Sequence, residues 1–84
     1  EAGLLGDTPQ RDYTGKLKSF NAFAQPELRE AIAALSVPAG SRVLEAGCGT
    51  GEALGWWHAS MRGSGVVVGL DLSAAHVRAA RALA

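Results

Sequence analysis

The sequence predicts an α/β fold, in which helices alternate with the strands of a doubly wound parallel sheet. Three observations lead to this prediction. Two short strand patterns are separated by a helical one, the second strand pattern is a continuous apolar run, and a glycine-rich turn follows the first. We expect the order helix, strand, helix, strand, helix. Because two strands do not complete a doubly wound sheet, we expect the sheet to be present only in part in these 84 residues.

The first predicted helix begins at Pro26, a residue type favoured in the first turn of helices, and runs to about Ser36. Leu28, Ile32 and Leu35 recur along it at helical spacing and give it an apolar stripe. Such a stripe predicts that the helix packs against another element.

Residues 1–25 are expected to form an N-terminal arm in front of a domain made of residues 26–84. Gly, Pro, Asp and Thr occur without a period in residues 1–15, and residues 16–25 have only weak helical character. We therefore leave the structure of the arm open.

The remaining elements follow one another closely. Residues 42–46, with the sequence RVLEA, predict a short strand, and residues 52–61 predict a helix with one apolar face. Residues 66–70, with the sequence VVVGL, form a continuous apolar run, which indicates a strand buried on both faces of a parallel sheet. Ser73 is the expected N-cap of a last, alanine-rich helix.

Composition and charge argue against several classes of protein. Apolar residues make up 48% of the chain, as in globular proteins, and eight basic side chains balance eight acidic ones. We therefore expect neither a nucleic acid nor a membrane as partner. The single Cys48 cannot close a disulfide within the chain, and no spacing of Cys and His resembles a metal site. With no signal-peptide pattern and no long apolar run, we expect a soluble, cytoplasmic protein.

The residues with the clearest chemistry form the turn EAGCGTG at positions 45–51, between a predicted strand and a predicted helix. In doubly wound folds ligands bind beyond the carboxyl ends of the strands, where glycines let the backbone turn sharply and approach the ligand. The turn is therefore a candidate floor for a nucleotide-like cofactor. A tight turn with no ligand is the alternative explanation.

Spacing and charge narrow the choice of cofactor. The dinucleotide pattern G-x-G-x-x-G fails, since Glu52 or Leu54 stands where the third glycine is needed. No Lys or Arg lies between Arg42 and Arg62, whereas Glu45 and Glu52 flank the turn, so a ligand with a positive centre suits it better than a pyrophosphate.

S-adenosylmethionine has such positive centres in its sulfonium and α-ammonium groups. Its carboxylate could use the start of the helix near Glu52. Asp71 follows Gly51 by 20 residues, the interval at which a carboxylate at the next strand end accepts hydrogen bonds from ribose hydroxyls. A role as a helix cap is the alternative for Asp71, although Ser73 is the better cap.

The stretches VLEAGCGTG and VVVGLDLS resemble motif I and the acidic second motif of class I S-adenosylmethionine-dependent methyltransferases. The resemblance covers residues 41–83 and implies a Rossmann-like fold and a methyltransferase enzyme. It implies that the methionine part of the cofactor is surrounded by Glu45, Gly47, Gly49 and Gly51. It further implies that Asp71 binds the ribose and that Leu72 packs on the adenine.

The resemblance also implies elements that these residues do not contain, including the later strands and the motif that faces the methyl acceptor. We therefore expect a front half, or fragment, completed by a C-terminal segment or by an oligomer partner, and we assign no catalytic residue. Charge balance favours a small-molecule acceptor. The aromatic residues of the arm, Tyr13, Phe20 and Phe23, suit either a lid over the cofactor or a cover for the open sheet face.

Two alternatives stay open. The chain could be a non-catalytic module that binds S-adenosylmethionine, or an NAD-binding domain, which the glycine spacing disfavours. Among single residues, Cys48 is interpreted as a small loop residue and not as a nucleophile. His58 and His76 are interpreted as solvated or packed side chains and not as acid–base groups.

Overall fold

The computed structural model describes residues 12–84, so residues 1–11 of the predicted arm lie outside the described part of the chain. Three helices alternate with two strands, and the predicted order is confirmed. The elements are α1 (Thr14–Ala34), β1 (Arg42–Ala46), α2 (Glu52–Ser60), β2 (Val66–Leu70) and α3 (Ala74–Leu83).

The two strands form a parallel sheet, in register from Arg42 opposite Val66 to Ala46 opposite Leu70. Helix α2 connects them, as a parallel pair requires. The strand bounds and the parallel pairing agree with the sequence-based prediction. The observed architecture is therefore a mixed α/β fold with a two-stranded parallel sheet and three helices.

The two faces of this sheet differ in burial. Residues 43, 45, 67 and 69 point to the face covered by helices, where Leu54 of α2 lies against Gly69. On the other face the side chains of Leu44, Val68 and Leu70 are 66%, 46% and 55% exposed. The prediction that β2 is buried on both faces is therefore wrong for the described residues, because the helices cover only one face.

Helix α1 begins at Thr14, not at the predicted Pro26, and so it crosses the position of the expected boundary between arm and domain. The earlier start is explained by tertiary contacts. The backbone amide of Tyr13 donates a hydrogen bond of 2.9 Å to the His76 ring, and the side chain of Asn21 donates one of 2.8 Å to Glu52. These contacts hold the first turns of α1 against α2 and α3, which no local pattern reveals.

Pro26 lies inside α1 and is exposed to solvent. A proline in a helix interior lacks the amide hydrogen that would bond four residues back, and its ring crowds that carbonyl group. We expect Pro26→Ala to raise the free energy of unfolding by about 1 to 3 kcal/mol. Urea denaturation of both proteins measures the change. A variant that is less stable than the wild type would show that this proline is accommodated without cost.

The core lies between the helices and the covered face of the sheet. Met61, just after α2, is fully buried, and Ile32 of α1 and Cys48 of the glycine-rich turn are 8% exposed each. Across residues 12–84, no helix is both long enough and apolar enough to span a membrane.

Candidate functional site

The turn between β1 and α2 is built on three glycines with left-handed backbone angles. Gly47, Gly49 and Gly51 have φ values of 71°, 58° and 89°, which side chains with a Cβ rarely adopt. The backbone amide of Cys48, between the first two, donates a hydrogen bond of 2.8 Å to the carbonyl oxygen of Leu70. The turn therefore runs beside the carboxyl end of β2, where ligands bind in folds of this class.

Asp71, the first residue after β2, fastens this turn to the next helix. Its Oδ2 accepts a hydrogen bond of 2.8 Å from the amide of Gly49. Its Oδ1 accepts one of 2.8 Å from the amide of Ser73 and lies 3.2 Å from Nδ1 of His76. Burial favours a higher pKa of Asp71, but these bonds to the charged form outweigh it, and the pKa is lowered.

The hydrogen bonds limit what Asp71 can still accept. A carboxylate offers about four acceptor sites, and the amides of Gly49 and Ser73 and the His76 ring occupy three. One site, on Oδ2, is available to a ligand. Asp71 can thus accept one hydrogen bond from a ligand without losing an internal contact.

His76 belongs to this site, although the sequence-based interpretation gave it no role. It is 6% exposed, and its own amide donates to the hydroxyl oxygen of Ser73, the predicted and observed N-cap of α3. His76 is thus the third residue after the cap, a position from which side chains reach back over the helix start. That spacing, combined with the candidate Asp71 just before the cap, is the signal that could have identified it.

Glu45, near the end of β1, points to the helix-covered face of the sheet. Its Oε1 is buried and has no hydrogen-bond partner among the described residues, and burial raises the pKa of the carboxyl group. A buried carboxylate oxygen without a partner carries a desolvation cost. A cationic group next to it would offset that cost.

Two cavities meet at the glycine-rich turn. One, of about 410 Å³, lies between the turn and α1; Glu45, Gly47 and Gly49 line it together with Leu17 and Phe20. The other, of about 620 Å³, is lined by Ala46, Gly47, Leu70, Asp71 and Leu72. Gly47 borders both, and a Cβ added to it would meet no atom within 4 Å, so its α-carbon faces open space.

Gly51 is set apart from these cavities. It is buried behind the turn, and a Cβ added to it would lie 2.8 Å from the Cβ of Ala80 on α3. The close packing of α3 therefore explains why a glycine is needed at this position. Of the six predicted site residues, five line one or both cavities, namely Glu45, Gly47, Gly49, Asp71 and Leu72. Gly51 lines neither of the two.

The start of α2 is occupied by a charged side chain of the protein itself. Glu52 accepts hydrogen bonds from the Thr50 hydroxyl and the Asn21 amide, and it forms a 3.3 Å ion pair with Lys18. Burial favours a higher pKa of Glu52, but the hydrogen bonds outweigh it and lower the pKa. A second carboxylate would be repelled here, so the start of α2 does not suit the carboxylate of a ligand, contrary to the expectation from the sequence.

The last two features of the site are the Cys48 thiol and the arrangement of possible metal ligands. Burial, together with the nearby Asp71 and Glu45 carboxylates, raises the pKa of the Cys48 thiol and keeps it in its unreactive form. Within residues 12–84, no cluster of three or more His, Cys, Asp and Glu side chains is placed to bind a metal ion.

Comparison with known proteins places this geometry in a family. A family model described as a methyltransferase domain matches residues 43–84, which is half of the chain. No curated protein and no solved structure matched the sequence. The matched region contains the glycine-rich turn, α2 and Asp71, which line the two cavities, whereas the α1 residues that line the first cavity lie outside it. The chain belongs to the family of class I S-adenosylmethionine-dependent methyltransferases.

Proposed function

We propose that the chain binds S-adenosylmethionine across the two cavities that meet at Gly47, as the cofactor-binding part of an enzyme that methylates a small molecule. The observation that carries this proposal is a pair of acidic groups on either side of an open glycine. Glu45 lines one cavity with a buried, unpartnered oxygen, and Asp71 lines the other with one available acceptor site.

The cavity of Glu45 suits the methionine part of the cofactor. Its sulfonium and α-ammonium groups are positive, and a positive group near the Glu45 carboxylate would offset the cost of its burial. The open space beside Gly47 lets the ligand approach the backbone at the point where a Cβ would otherwise project.

The cavity of Asp71 suits the nucleoside part. A ribose hydroxyl can donate to the available site on Oδ2 of Asp71. Leu72, which is 65% exposed in this cavity, offers an apolar surface on which an adenine ring would pack. Gly47 borders both cavities and would lie under the junction of the two parts of the cofactor.

The residues around Glu45 also suggest how an acceptor is held. When bound, S-adenosylmethionine supplies a methyl group on a positively charged sulfur. The protein then has to align the acceptor and exclude water. Phe20, Trp56 and Trp57 line the same cavity of about 410 Å³ and would offer apolar surface to a small organic acceptor beside the methionine part of the cofactor. The balanced net charge of the chain agrees with a small molecule more than with a nucleic acid.

Glu45→Gln should separate the binding role of Glu45 from its effect on folding. The pKa of Glu45 is raised in the folded state, so its contribution to stability is full at low pH and is lost as the pH rises. We expect the variant to be more stable than the wild type at pH 7 to 8 and this advantage to disappear at acidic pH. It should bind S-adenosylhomocysteine about threefold to tenfold more weakly than the wild type, because the neutral amide no longer attracts the α-ammonium group of the ligand.

Thermal unfolding across the pH range and calorimetric titration measure these two effects. A matched control is Glu30→Gln, which removes an exposed carboxylate from α1. If Glu45→Gln lowers stability at neutral pH, or leaves the affinity unchanged, Glu45 does not face the cationic end of the cofactor.

The proposed function itself is tested by two titrations and one assay. Isothermal titration should show binding of S-adenosylhomocysteine and S-adenosylmethionine, and weaker binding of NAD. Stronger binding of NAD would favour the dinucleotide alternative. Transfer of a labelled methyl group to a small-molecule fraction would exclude the non-catalytic module, whereas cofactor binding without any transfer would support it.

A further inference from the structure

We infer that His76 is a positioning residue, which ties the start of α1 to Asp71 and does so only while its ring is neutral. The inference rests on the proposed function, because it assigns His76 a role at the ribose-binding carboxylate. It starts from two hydrogen bonds made by one buried ring. The amide of Tyr13 donates to Nε2 at 2.9 Å, and Nδ1 lies 3.2 Å from Oδ1 of Asp71.

These two contacts fix which nitrogen carries the proton. A backbone amide can only donate, so Nε2 must accept and cannot bear a hydrogen. Nδ1 then carries the single proton of the neutral ring and donates it to Asp71. The described geometry therefore requires the Nδ1–H tautomer of His76.

A second proton on the ring would go to Nε2 and would break one contact while keeping the other. The Tyr13 amide would lose its acceptor, whereas the charged ring would hold the Asp71 carboxylate more strongly. The turn of α1 that follows Tyr13 carries Leu17, which lines the cavity of Glu45 together with Phe20. Protonation of His76 would thus remove one of the contacts that hold the start of α1, while the contacts of Lys18 and Asn21 with Glu52 would remain.

The other titratable and charged groups around the ring matter for a measurement between about pH 5 and pH 8. They are Asp71 after β2, Asp12 and Tyr13 before α1, and Arg78 on α3. Hydrogen bonds from Thr14, with smaller contributions from His76 and Arg78, lower the pKa of Asp12. The pKa of Asp71 is also lowered, so both carboxylates stay charged throughout this range.

Nuclear magnetic resonance of the wild-type chain tests the tautomer directly. Long-range proton–nitrogen correlations of the His76 ring should show Nδ1 as the protonated nitrogen at pH 8. On acidification the amide resonance of Tyr13 should move together with the His76 ring resonances, and its hydrogen exchange should become faster. An Nε2–H tautomer, or a Tyr13 amide that does not respond to pH, would overturn the inference, whether or not the chain binds a cofactor.

Two substitutions at His76 separate the hydrogen bond to Asp71 from the hydrogen bond to Tyr13. In His76→Asn the amide nitrogen replaces Nδ1 and keeps the donor to Asp71, while the acceptor for Tyr13 is lost. In His76→Gln the amide oxygen replaces Nε2 and keeps the acceptor for Tyr13, while the donor to Asp71 is lost. The exposed His58 on α2 provides the matched control, His58→Gln.

The affinity for S-adenosylhomocysteine at pH 8 should separate the variants. We expect His58→Gln to bind within about twofold of the wild type, and His76→Gln to bind about threefold to tenfold more weakly than His76→Asn, since it leaves Asp71 less firmly oriented. Equal affinities of the two His76 variants would show that His76 does not position Asp71. If the wild type binds no S-adenosylhomocysteine, the proposed function fails, and the tautomer measurement still decides whether His76 makes the link.

Discussion

Asp71→Asn is expected to weaken binding of S-adenosylhomocysteine by tenfold to several hundredfold. The substitution removes the negative charge and one acceptor oxygen, and a hydrogen bond to a charged group contributes about 1.5 to 3 kcal/mol. It also disturbs the floor of the site, because an Asn side chain cannot accept hydrogen bonds from the amides of Gly49 and Ser73 on two oxygens. Isothermal titration at pH 7.5 measures the loss.

The same substitution should change how stability depends on pH. The pKa of Asp71 is lowered in the folded state, so its contribution to stability is present at neutral pH and is lost as the pH falls through that lowered value. Asp71→Asn should therefore be less stable than the wild type at pH 7, by an amount that shrinks in acid. Glu27→Gln, which removes an exposed carboxylate from α1, is the control for net charge. Unchanged affinity in folded Asp71→Asn would reject the ribose assignment.

Gly51→Ala is expected to have the largest effect on folding. A Cβ at this position would lie 2.8 Å from the Cβ and 3.0 Å from the Cα of Ala80, and the backbone has a φ of 89°. Strain from the left-handed backbone and overpacking against α3 together should lower the free energy of unfolding by about 2 to 4 kcal/mol. Urea denaturation followed by circular dichroism measures the change.

A second glycine gives the matched control for that prediction. Gly55 lies within α2, and a Cβ added to it would meet no atom within 4 Å. Gly55→Ala should therefore raise stability by about 0.5 to 1 kcal/mol, since alanine favours the helix. If Gly51→Ala is as stable as the wild type, the close packing of α3 on the turn is not as the structure describes.

The strands and the last two helices could be predicted because their signals are local. The run at residues 66–70 and the cap at Ser73 report backbone preference directly, and the structure has β2 and α3 at those positions. The start of α1 could not be predicted this way. Its first turns depend on contacts with residues far along the chain, such as that between Tyr13 and His76. These contacts allow the helix to begin before Pro26, although proline is most common in the first turn of a helix.

The candidate site shows the same division. The spacing of the glycines and the positions of the strand ends were sufficient to predict that Glu45, Gly47 and Asp71 lie close together. In the structure they line two adjoining cavities. Periodicity carries no information on side-chain hydrogen bonds, so it missed His76 and did not show that Asp71 is largely satisfied from within the protein. It also could not distinguish the open Gly47 from Gly51, which is packed against Ala80.

The central claim is that the cofactor lies across Gly47, with its nucleoside toward Asp71 and its methionine part toward Glu45. Intermolecular nuclear Overhauser effects between bound S-adenosylhomocysteine and the labelled chain test it most directly. We predict contacts from the adenine and ribose protons to Leu72 and Asp71, and from the methionine protons to Gly47. Contacts from the nucleoside to the exposed sheet face of Leu44 and Val68, with none to Asp71, would contradict the account.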